Sequence, residues 1–429
     1  MTDFPPDPDS RVTTLPNGVR VLTLRMPWLD SASVSVFVRT GSRNEPARLA
    51  GISHFAEHMA FKGTVTRDGR QVNVDAERLG AEVNAHTDKD HTAYHLRGRA
   101  RDAEAFVEML ADIVQHSTFP ADEIERERQV ILQEYIEDED DPMSIAFRMF
   151  DQACYGTHPM GLPVIGTRAV IERLTRDDLL GYVRQQYTGA NIIVGAAGDI
   201  DPDAIVRAAQ RAFGERAAGL PNAVPPPVWL GGIRSRRIAD SLQSHLVLGY
   251  PLPGQRGQPQ AGQVAAALFG EGMSSPLMHE IREKRGLVYY AACSADVLDD
   301  CGEFVIEAST APEHFDELLL EVRRLLVAHA QEIGADDLER ARNQIAVRRL
   351  RAQERPGRRL EDAALDLFTF GAVRPRIARD APIEAVQADE VRAVFAGMLA
   401  APVALAAAGK LGRGLTERLT TLFAARRLH

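Results

Sequence analysis

Two histidines and a glutamate lie close together in "GISHFAEHMAFKGT", residues 51–64. Residues four apart lie above one another on a helix, so His54 and His58 can present both imidazoles to one point, with Glu57 beside them. Zinc binds neutral imidazole nitrogens and carboxylate oxygens, and a catalytic site has three protein ligands and one open position. The segment therefore predicts two metal ligands, with Glu57 free to act as a general base on a water molecule at the metal.

A third ligand has to come from elsewhere, and a long predicted helix offers candidates. The stretch "IERERQVILQEYIEDED" follows "FPADE" and contains Glu127, Glu134 and Glu137. Glu127 and Glu134 are seven residues apart and share one helix face, so one could bind the metal while the other supports a ligand. The residues alone leave this choice open. A lone His-x-x-Glu-His spacing also arises by chance in some chains, where each histidine is an ordinary core or surface residue.

The elements that must position these residues are strands and helices in irregular order. An Asn-Gly pair at 17–18 predicts a β-hairpin, and "SASVSVFVRTGS" predicts a strand whose alternating valines pack on one face. Helical patterns cover residues 49–61, 71–79 and 101–115, and a longer one starts after "FPADE", covers residues 124–140 and ends before Pro142. Since strands and helices do not alternate regularly, the predicted fold class is α+β.

Two parts of the chain resemble each other. "FPADEIERERQVILQE" (119–134) and "IGADDLERARNQIAVR" (333–348) align without gaps at an offset of 214 residues, and "GAAGDI" is echoed later by "AAAGKL" in the same order. Between the copies, "RAAGLPNAVPPPVWLGG" suits an extended linker. We predict an internal duplication, with one domain over residues 1–217, a linker over 218–232 and a second domain over 233–429.

The two copies differ at the positions that could bind a metal. The second copy has Ala341 and Arg348 where the first has Glu127 and Glu134, and no His-x-x-Glu-His follows the linker. Only the first copy is therefore expected to hold a catalytic metal.

Composition limits the classes of partner. The 429 residues suit two domains, and the net charge of −10 argues against a nucleic-acid partner. No run of eighteen apolar residues predicts a membrane span, and the acidic start "MTDFPPDPDS" lacks a signal or transit pattern, so a cytoplasmic location is expected. Three cysteines without a Cys-x-x-Cys spacing predict buried free thiols rather than disulfides or a thiolate metal site.

The order His-x-x-Glu-His is the inverted form of the His-Glu-x-x-His zinc motif. With "LPNGVRV", "GISHFAEHMAFKGT" and "ERQVILQE", the chain resembles the pitrilysin/insulinase group of zinc peptidases (inverzincins), particularly the short branch with the mitochondrial processing peptidase β subunit and bacterial relatives. Glu134 stands 76 residues after His58 (134 − 58), as the third zinc ligand of that family does. The resemblance implies one zinc ion per chain on His54, His58 and Glu134, with Glu127 as supporting acid and Glu57 as base.

Two further segments match the same family. "NAHTDKDHTAYH" resembles its edge strand, which implies that residues 84–87 bind the backbone of a peptide substrate by strand addition; these are Asn84, Ala85, His86 and Thr87. His86, His91 and His95 could also suggest a second metal, but alternation along an exposed strand is the preferred interpretation.

"SSPLMHEIREKRGLVYYA" resembles the family segment whose arginine and tyrosine reach the active site, which implies that Arg282 and Tyr289 stabilise the charge developing on the substrate carbonyl. Pro276 stands where relatives usually have arginine, which puts the local helix geometry in doubt.

The resemblance implies a zinc-dependent endopeptidase that hydrolyses unstructured peptides or presequence-like segments. It also implies two domains of similar fold, each a mixed or antiparallel sheet with packed helices, which enclose a chamber, and a homodimer or a heterodimer with an inactive homologue. The alternative is a non-catalytic scaffold or partner subunit of the same fold. Such subunits tend to lose zinc ligands, whereas His54, Glu57, His58 and Glu134 are all present.

Overall fold

The computed structural model describes residues 7–423, so part of the acidic start used above, residues 1–6, lies outside the described range. Eleven strands in this range form two sheets. The strands are β1 (Ser10–Thr14), β2 (Arg20–Arg25), β3 (Ser31–Val38), β4 (Glu82–Thr87), β5 (Thr92–Arg99), β6 (Ile192–Gly198), β7 (Gly232–Arg237), β8 (Ser244–Leu252), β9 (Val288–Val297), β10 (Gly302–Thr310) and β11 (Ala404–Gly409).

The helices of the described range are α1 (Ile52–Ala60), α2 (Gly69–Arg78), α3 (Ala103–His116), α4 (Ala121–Asp140), α5 (Pro142–Tyr155), α6 (Arg168–Ile171), α7 (Arg176–Gln186), α8 (Pro202–Phe213), α9 (Gln260–Gly270), α10 (Phe315–Gln331), α11 (Ala335–Gln353), α12 (Pro356–Phe370), α13 (Arg376–Ala385), α14 (Ala388–Ala400) and α15 (Leu415–Phe423). A π-helical segment, Leu277–Glu283, follows Pro276. None of the helices within residues 7–423 has the length and apolar character needed to cross a membrane.

The two sheets repeat one arrangement. The first has the order β1-β2-β6-β3-β5-β4 and the second β7-β11-β8-β10-β9. Without β1, each sheet begins with a parallel pair and continues with three antiparallel pairs. The helices α4 and α11 begin 214 residues apart (335 − 121), the offset found in the sequence. The predicted α+β class and the duplication are therefore confirmed.

The chain divides into two compact units that are discontinuous in sequence. Unit 1 contains the described residues up to Tyr135, with Leu162–Pro225 and Leu350–Arg376. Unit 2 contains Ile136–Gly161 and Pro226–Arg349, with the described residues from Ile377 onward. The predicted linker at residues 218–232 lies near one change between the units, but two segments belong to the unit on the other side of it. Residues 136–161 belong to unit 2, and residues 350–376 belong to unit 1.

Residues 350–376, which include α12, explain why β3 is buried on both faces. Val34, Val36 and Val38 lie in the same core cluster as residues of α3 and α8. Phe37, which points to the opposite face, lies in a cluster with Leu360 of α12. β3 was predicted correctly as a strand, but packing on only one face was wrong, because α12 covers the other face.

Unit 2 likewise contains a helix from the other side of the predicted linker, which is α5. Its residues Ile145 and Phe150 share a core cluster with Val247, Val305 and Ala404 of the second sheet. Pro142 is at the start of this helix, and Asp141 caps it by accepting a 2.8 Å hydrogen bond from the backbone N–H of Ser144. The acidic run before Pro142 therefore ends one helix and caps the next. None of the three cysteines, all within the described range, forms a disulfide; Cys154 is buried and the other two are half-buried.

Candidate active site

Helix α1 carries the His-x-x-Glu-His motif and is fixed at its first turn. Gly51 precedes the helix with φ +94°, and a Cβ at this position would lie 2.4 Å from the carbonyl oxygen of Ile165. The buried Glu45 carboxylate accepts hydrogen bonds from the backbone N–H groups of Gly51 (2.6 Å) and Ser53 (2.8 Å). These bonds satisfy donors that a helix N-terminus otherwise leaves unpaired. Glycine and a buried acid thus set the position of the motif.

The apolar side of α1 turns the motif residues toward one place. Ile52, Phe55 and Met59 are fully buried in a core cluster of unit 1. His54, Glu57 and His58, on the remaining surface of the helix, are half-buried. The helical period therefore keeps the imidazoles and the carboxylate at the edge of the core.

Helix α4 brings Glu134 to the two histidines. Oε2 of Glu134 lies 3.8 Å from Nε2 of His54 and 3.7 Å from Nε2 of His58. The two imidazole centroids are 4.6 Å apart. One ligand atom from each of the three residues lies within 4.8 Å of the other two, so the structure brings these predicted ligands together. Of the three glutamates left open by the spacing, Glu134 is the one in this group.

The donor set and its spacing fit a zinc ion. Bonds of about 2.0–2.2 Å in a tetrahedral site place ligand atoms about 3.3–3.6 Å apart, slightly closer than the distances above. The Glu134 side chain is 40% exposed, so it can move by this small difference. Burial, together with the charge of His58, lowers the pKa of His54 to about 4, which keeps this imidazole in the neutral form that a metal requires.

Glu127 contacts Nδ1 of His58, the ring nitrogen other than the one near Glu134. Its Oε2 is 3.1 Å from Nδ1 of His58, and its Oε1 is 2.5 Å from Nζ of Lys62. The carboxylate is buried, and the ammonium of Lys62 balances its charge. A carboxylate at Nδ1 fixes the tautomer in which Nε2 carries the free electron pair.

Glu57 is held beside this group by a strand. The hydroxyl of Thr87 on β4 donates a 2.6 Å hydrogen bond to Oε2 of Glu57. Burial raises the pKa of Glu57, and the bond from Thr87 partly opposes this shift. A carboxylate with a raised pKa takes up a proton more readily at neutral pH.

Strand β4 is the edge of the first sheet. It pairs with β5 on one side, and in the described part of the chain no strand pairs with its other side. Within β4, Asn84 Oδ1 accepts a 2.8 Å bond from the N–H of Ala85, and Thr87 points to Glu57. The predicted substrate strand therefore runs along an open sheet edge next to the group formed by His54, His58 and Glu134.

Comparison with known proteins assigns the chain to a family. The profile described as "Insulinase (Peptidase family M16)" matches residues 20–168, and the profile "Peptidase M16 inactive domain" matches residues 173–345. An uncharacterized zinc protease of Mycobacterium tuberculosis is 34% identical over 427 residues, which cover 96% of each chain. The chain belongs to peptidase family M16. The family resemblance inferred from the motifs is thus confirmed.

Other M16 relatives agree. An uncharacterized zinc protease of Rickettsia felis is 33% identical over 371 residues, 85% of this chain and 89% of that protein. The crystal structure of a protease from Helicobacter pylori has the same fold, with a TM-score of 0.86 at 22% identity over 95% of this chain and 100% of that one. The first M16 profile spans the motif and Glu134, whereas the inactive-domain profile spans Arg282 and Tyr289.

In this M16 chain, Arg282 and Tyr289 lie in unit 2. Arg282 is in the π-helical segment, and its guanidinium carbon is 5.4 Å from the centroid of the Tyr289 ring. Tyr289 is 82% exposed, whereas the hydroxyl of neighbouring Tyr290 donates a 2.7 Å hydrogen bond to Glu307. The two predicted residues are thus paired with each other within unit 2.

Four residues form a group that the sequence did not predict. Ligand atoms of His86, Asp88, His91 and Glu361 lie within 4.8 Å of one another in unit 1. The interpretation of these histidines as alternation on an exposed strand is wrong for His91, which is 3% exposed in the turn between β4 and β5. Glu361 is 275 residues from His86 and comes from α12, so no local spacing could have indicated it.

Proposed function

We propose that this M16 chain is a zinc endopeptidase, with one zinc ion held by His54, His58 and Glu134 and with Glu57 as general base. The convergence of these three side chains beside a glutamate fixed by Thr87 is the observation that carries the proposal. A zinc ion held by these residues would supply a Lewis acid for the peptide carbonyl and would lower the pKa of water toward neutrality.

Glu57 takes the proton of the attacking water and passes it to the leaving amine. Its Oε2 is held by Thr87, which leaves Oε1 for the proton. Burial raises the pKa of Glu57, so the carboxylate is a stronger base than an exposed glutamate.

Glu127 and Lys62 keep His58 in the required tautomer. The 3.1 Å contact between Glu127 and Nδ1 of His58 directs Nε2 toward Glu134. Supporting acids of this kind typically contribute about 10–100-fold to metal affinity or activity.

The substrate is an extended peptide that adds to the open edge of β4, along Asn84, Ala85, His86 and Thr87. Main-chain hydrogen bonds of strand addition depend little on side chains, so this mode favours unstructured peptides or presequence-like segments with loose sequence preference. Arg282 and Tyr289 are proposed as donors to the substrate carbonyl, since a guanidinium and a phenol stabilise developing negative charge. Pairing of two chains, as a homodimer or with an inactive homologue, stays a prediction from the resemblance.

The alternative is a non-catalytic scaffold or partner subunit of the same fold. A scaffold requires neither a converging donor set nor a half-buried base bonded to an edge strand. The convergence of His54, His58 and Glu134, with Glu57 on the same helix as the two histidines, favours the peptidase.

Zinc analysis combined with a peptidase assay tests the proposal. The full-length protein should cleave an unstructured fluorogenic peptide and leave a compact native protein intact. Glu134→Gln should lose the zinc of this site together with peptide hydrolysis. Glu77→Gln, an exposed glutamate on α2, is the matched control and should keep both. A zinc-loaded wild type that cleaves no unstructured peptide would support the scaffold instead.

A further inference from the structure

A second group of metal-type ligands lies where α12 meets the turn between β4 and β5. Its members are His86, Asp88, His91 and Glu361, all in unit 1. None of them belongs to the His-x-x-Glu-His motif or to α4. His86 is adjacent to Thr87, and successive strand residues point to opposite faces, so the group lies on the other side of β4 from the contact between Thr87 and Glu57.

The distances within the group fit a closed four-ligand site. Oε1 of Glu361 is 3.1 Å from Nε2 of His86 and 3.6 Å from Nε2 of His91. Oδ2 of Asp88 is 3.9 Å from Nε2 of His91. Tetrahedral zinc places its ligand atoms about 3.3–3.6 Å apart. These atoms therefore need to move only by small amounts to surround one ion.

His91 has the arrangement of a metal-bound histidine. Its side chain is 4% exposed, and its Nε2 atom has no hydrogen-bond partner among the described residues. Its other nitrogen, Nδ1, is 2.8 Å from Oδ1 of Asp90. A ligating imidazole almost always donates its second N–H to a carboxylate, carbonyl or water, which fixes the orientation of the ring. The carboxylates of Glu361 and Asp88 lie 3.6 Å and 3.9 Å from this nitrogen, beyond hydrogen-bond distance, so a metal ion at the centre of the group would satisfy it better than they do.

The carboxylate of Glu361 is also held by a second contact. Oε2 of Glu361 is 3.2 Å from Nη1 of Arg358, so its Oε1 is the oxygen that faces both imidazoles. The Asp88 side chain is 61% exposed and gives the group a route to solvent. Two imidazoles and two carboxylates suit zinc or a similar first-row divalent ion.

We propose that His86, Asp88, His91 and Glu361 form a second, structural zinc site that fastens α12 to the turn between β4 and β5. The proposal goes beyond the proposed peptidase site, because it requires none of the motif residues. It predicts two zinc ions per chain, whereas the sequence predicted one. Four protein ligands leave no open position for a substrate, which distinguishes this site from a catalytic one.

The proposed structural site is tested in a variant from which the His54 and His58 ligands of the peptidase site have been removed. In full-length protein carrying His54→Ala and His58→Ala, one zinc equivalent should remain after loading and dialysis, against two in the wild type. Zinc should also raise the unfolding temperature of this variant. Circular dichroism establishes that the variant is folded. A folded variant that retains no zinc would overturn the proposal and leave the group as a network of ion pairs.

Further variants identify the ligands. Added to the same background, Glu361→Gln should lose the remaining equivalent and the zinc-dependent rise in unfolding temperature, and Asp88→Asn should do the same with little change to the core. His95→Gln is the matched control, since its ring centroid is 6.0 Å from that of His86 but it is not in the group. Loss of zinc in His95→Gln, or retention in both ligand variants, would contradict the assignment. If only the proposed peptidase site were wrong, the variant with His54→Ala and His58→Ala would contain as much zinc as the wild type.

Discussion

Thr87 donates a 2.6 Å hydrogen bond to Glu57 and so connects the sheet edge to the motif helix. Thr87 is the last residue of β4, and Glu57 lies between the two motif histidines on α1. A peptide added to β4 would therefore lie beside the proposed base. The proposed substrate strand and the helix that carries the motif are therefore joined by this hydrogen bond.

Removal of that contact should slow turnover without removing metal. Thr87→Val eliminates the donor to Glu57 while keeping the shape of the side chain, and a lost hydrogen bond to a charged group corresponds to about 1.5–3 kcal/mol. We expect kcat to fall about 10–100-fold with unchanged zinc content. Thr87→Ser, which keeps the hydroxyl, should retain most activity. Equal kcat values for the valine and serine variants would contradict the positioning role.

The glycine before the motif should be required for the position of α1. Gly51→Ala places a side chain at φ +94° and its Cβ against the carbonyl oxygen of Ile165. The conformational strain alone is about 1–3 kcal/mol, and the close contact adds to it. Gly80→Ala is the control, because Gly80 has φ +65° with no atom within 4 Å. Urea unfolding should show a larger loss of stability for Gly51→Ala, and similar losses would mean that the close contact relaxes without cost.

The buried Glu45 should make stability depend on pH. Burial raises its folded-state pKa to about 7, although its bonds to Gly51 and Ser53 oppose the shift. The folded state then binds more protons than the unfolded state between about pH 4.5 and 7, so the contribution of Glu45 is lost as pH rises through this window. In metal-free protein, the stability of wild type relative to Glu45→Gln should fall from pH 5 to pH 8. A relative stability that rises with pH would show that the two backbone bonds outweigh burial.

Tyr289 should affect the reaction rather than the fold. It is 82% exposed, so Tyr289→Phe should leave the unfolding midpoint and zinc content unchanged. Loss of one donor to a developing oxyanion lowers kcat by up to about 100–1,000-fold. Tyr290→Phe, which removes a hydrogen bond to Glu307, is the control and should keep normal turnover. Normal turnover in Tyr289→Phe would exclude the proposed role.

Local patterns in the sequence predicted much of the fold. The Asn-Gly pair formed the hairpin of β1 and β2, with Gly18 at φ +89°, and the 214-residue offset was reproduced by α4 and α11. The motif spacing also placed His54 and His58 on one side of a helix, because the 3.6-residue period is a local property.

Features that depend on distant segments were not predictable in this way. The proline-rich linker indicated where the two copies meet, but not that residues 136–161 and 350–376 belong with the other unit. For the same reason the contact of Glu361 with His86 was missed, since it arises only because α12 packs on the first sheet.

The most direct test of the proposed mechanism is Glu57→Gln, measured for zinc content and peptide hydrolysis in the same sample. The amide preserves the shape of the side chain but cannot accept the proton. We predict the zinc content of the wild type with hydrolysis reduced to background. Loss of zinc in Glu57→Gln, or hydrolysis at the wild-type rate, would contradict the assignment of His54, His58 and Glu134 as ligands and Glu57 as base.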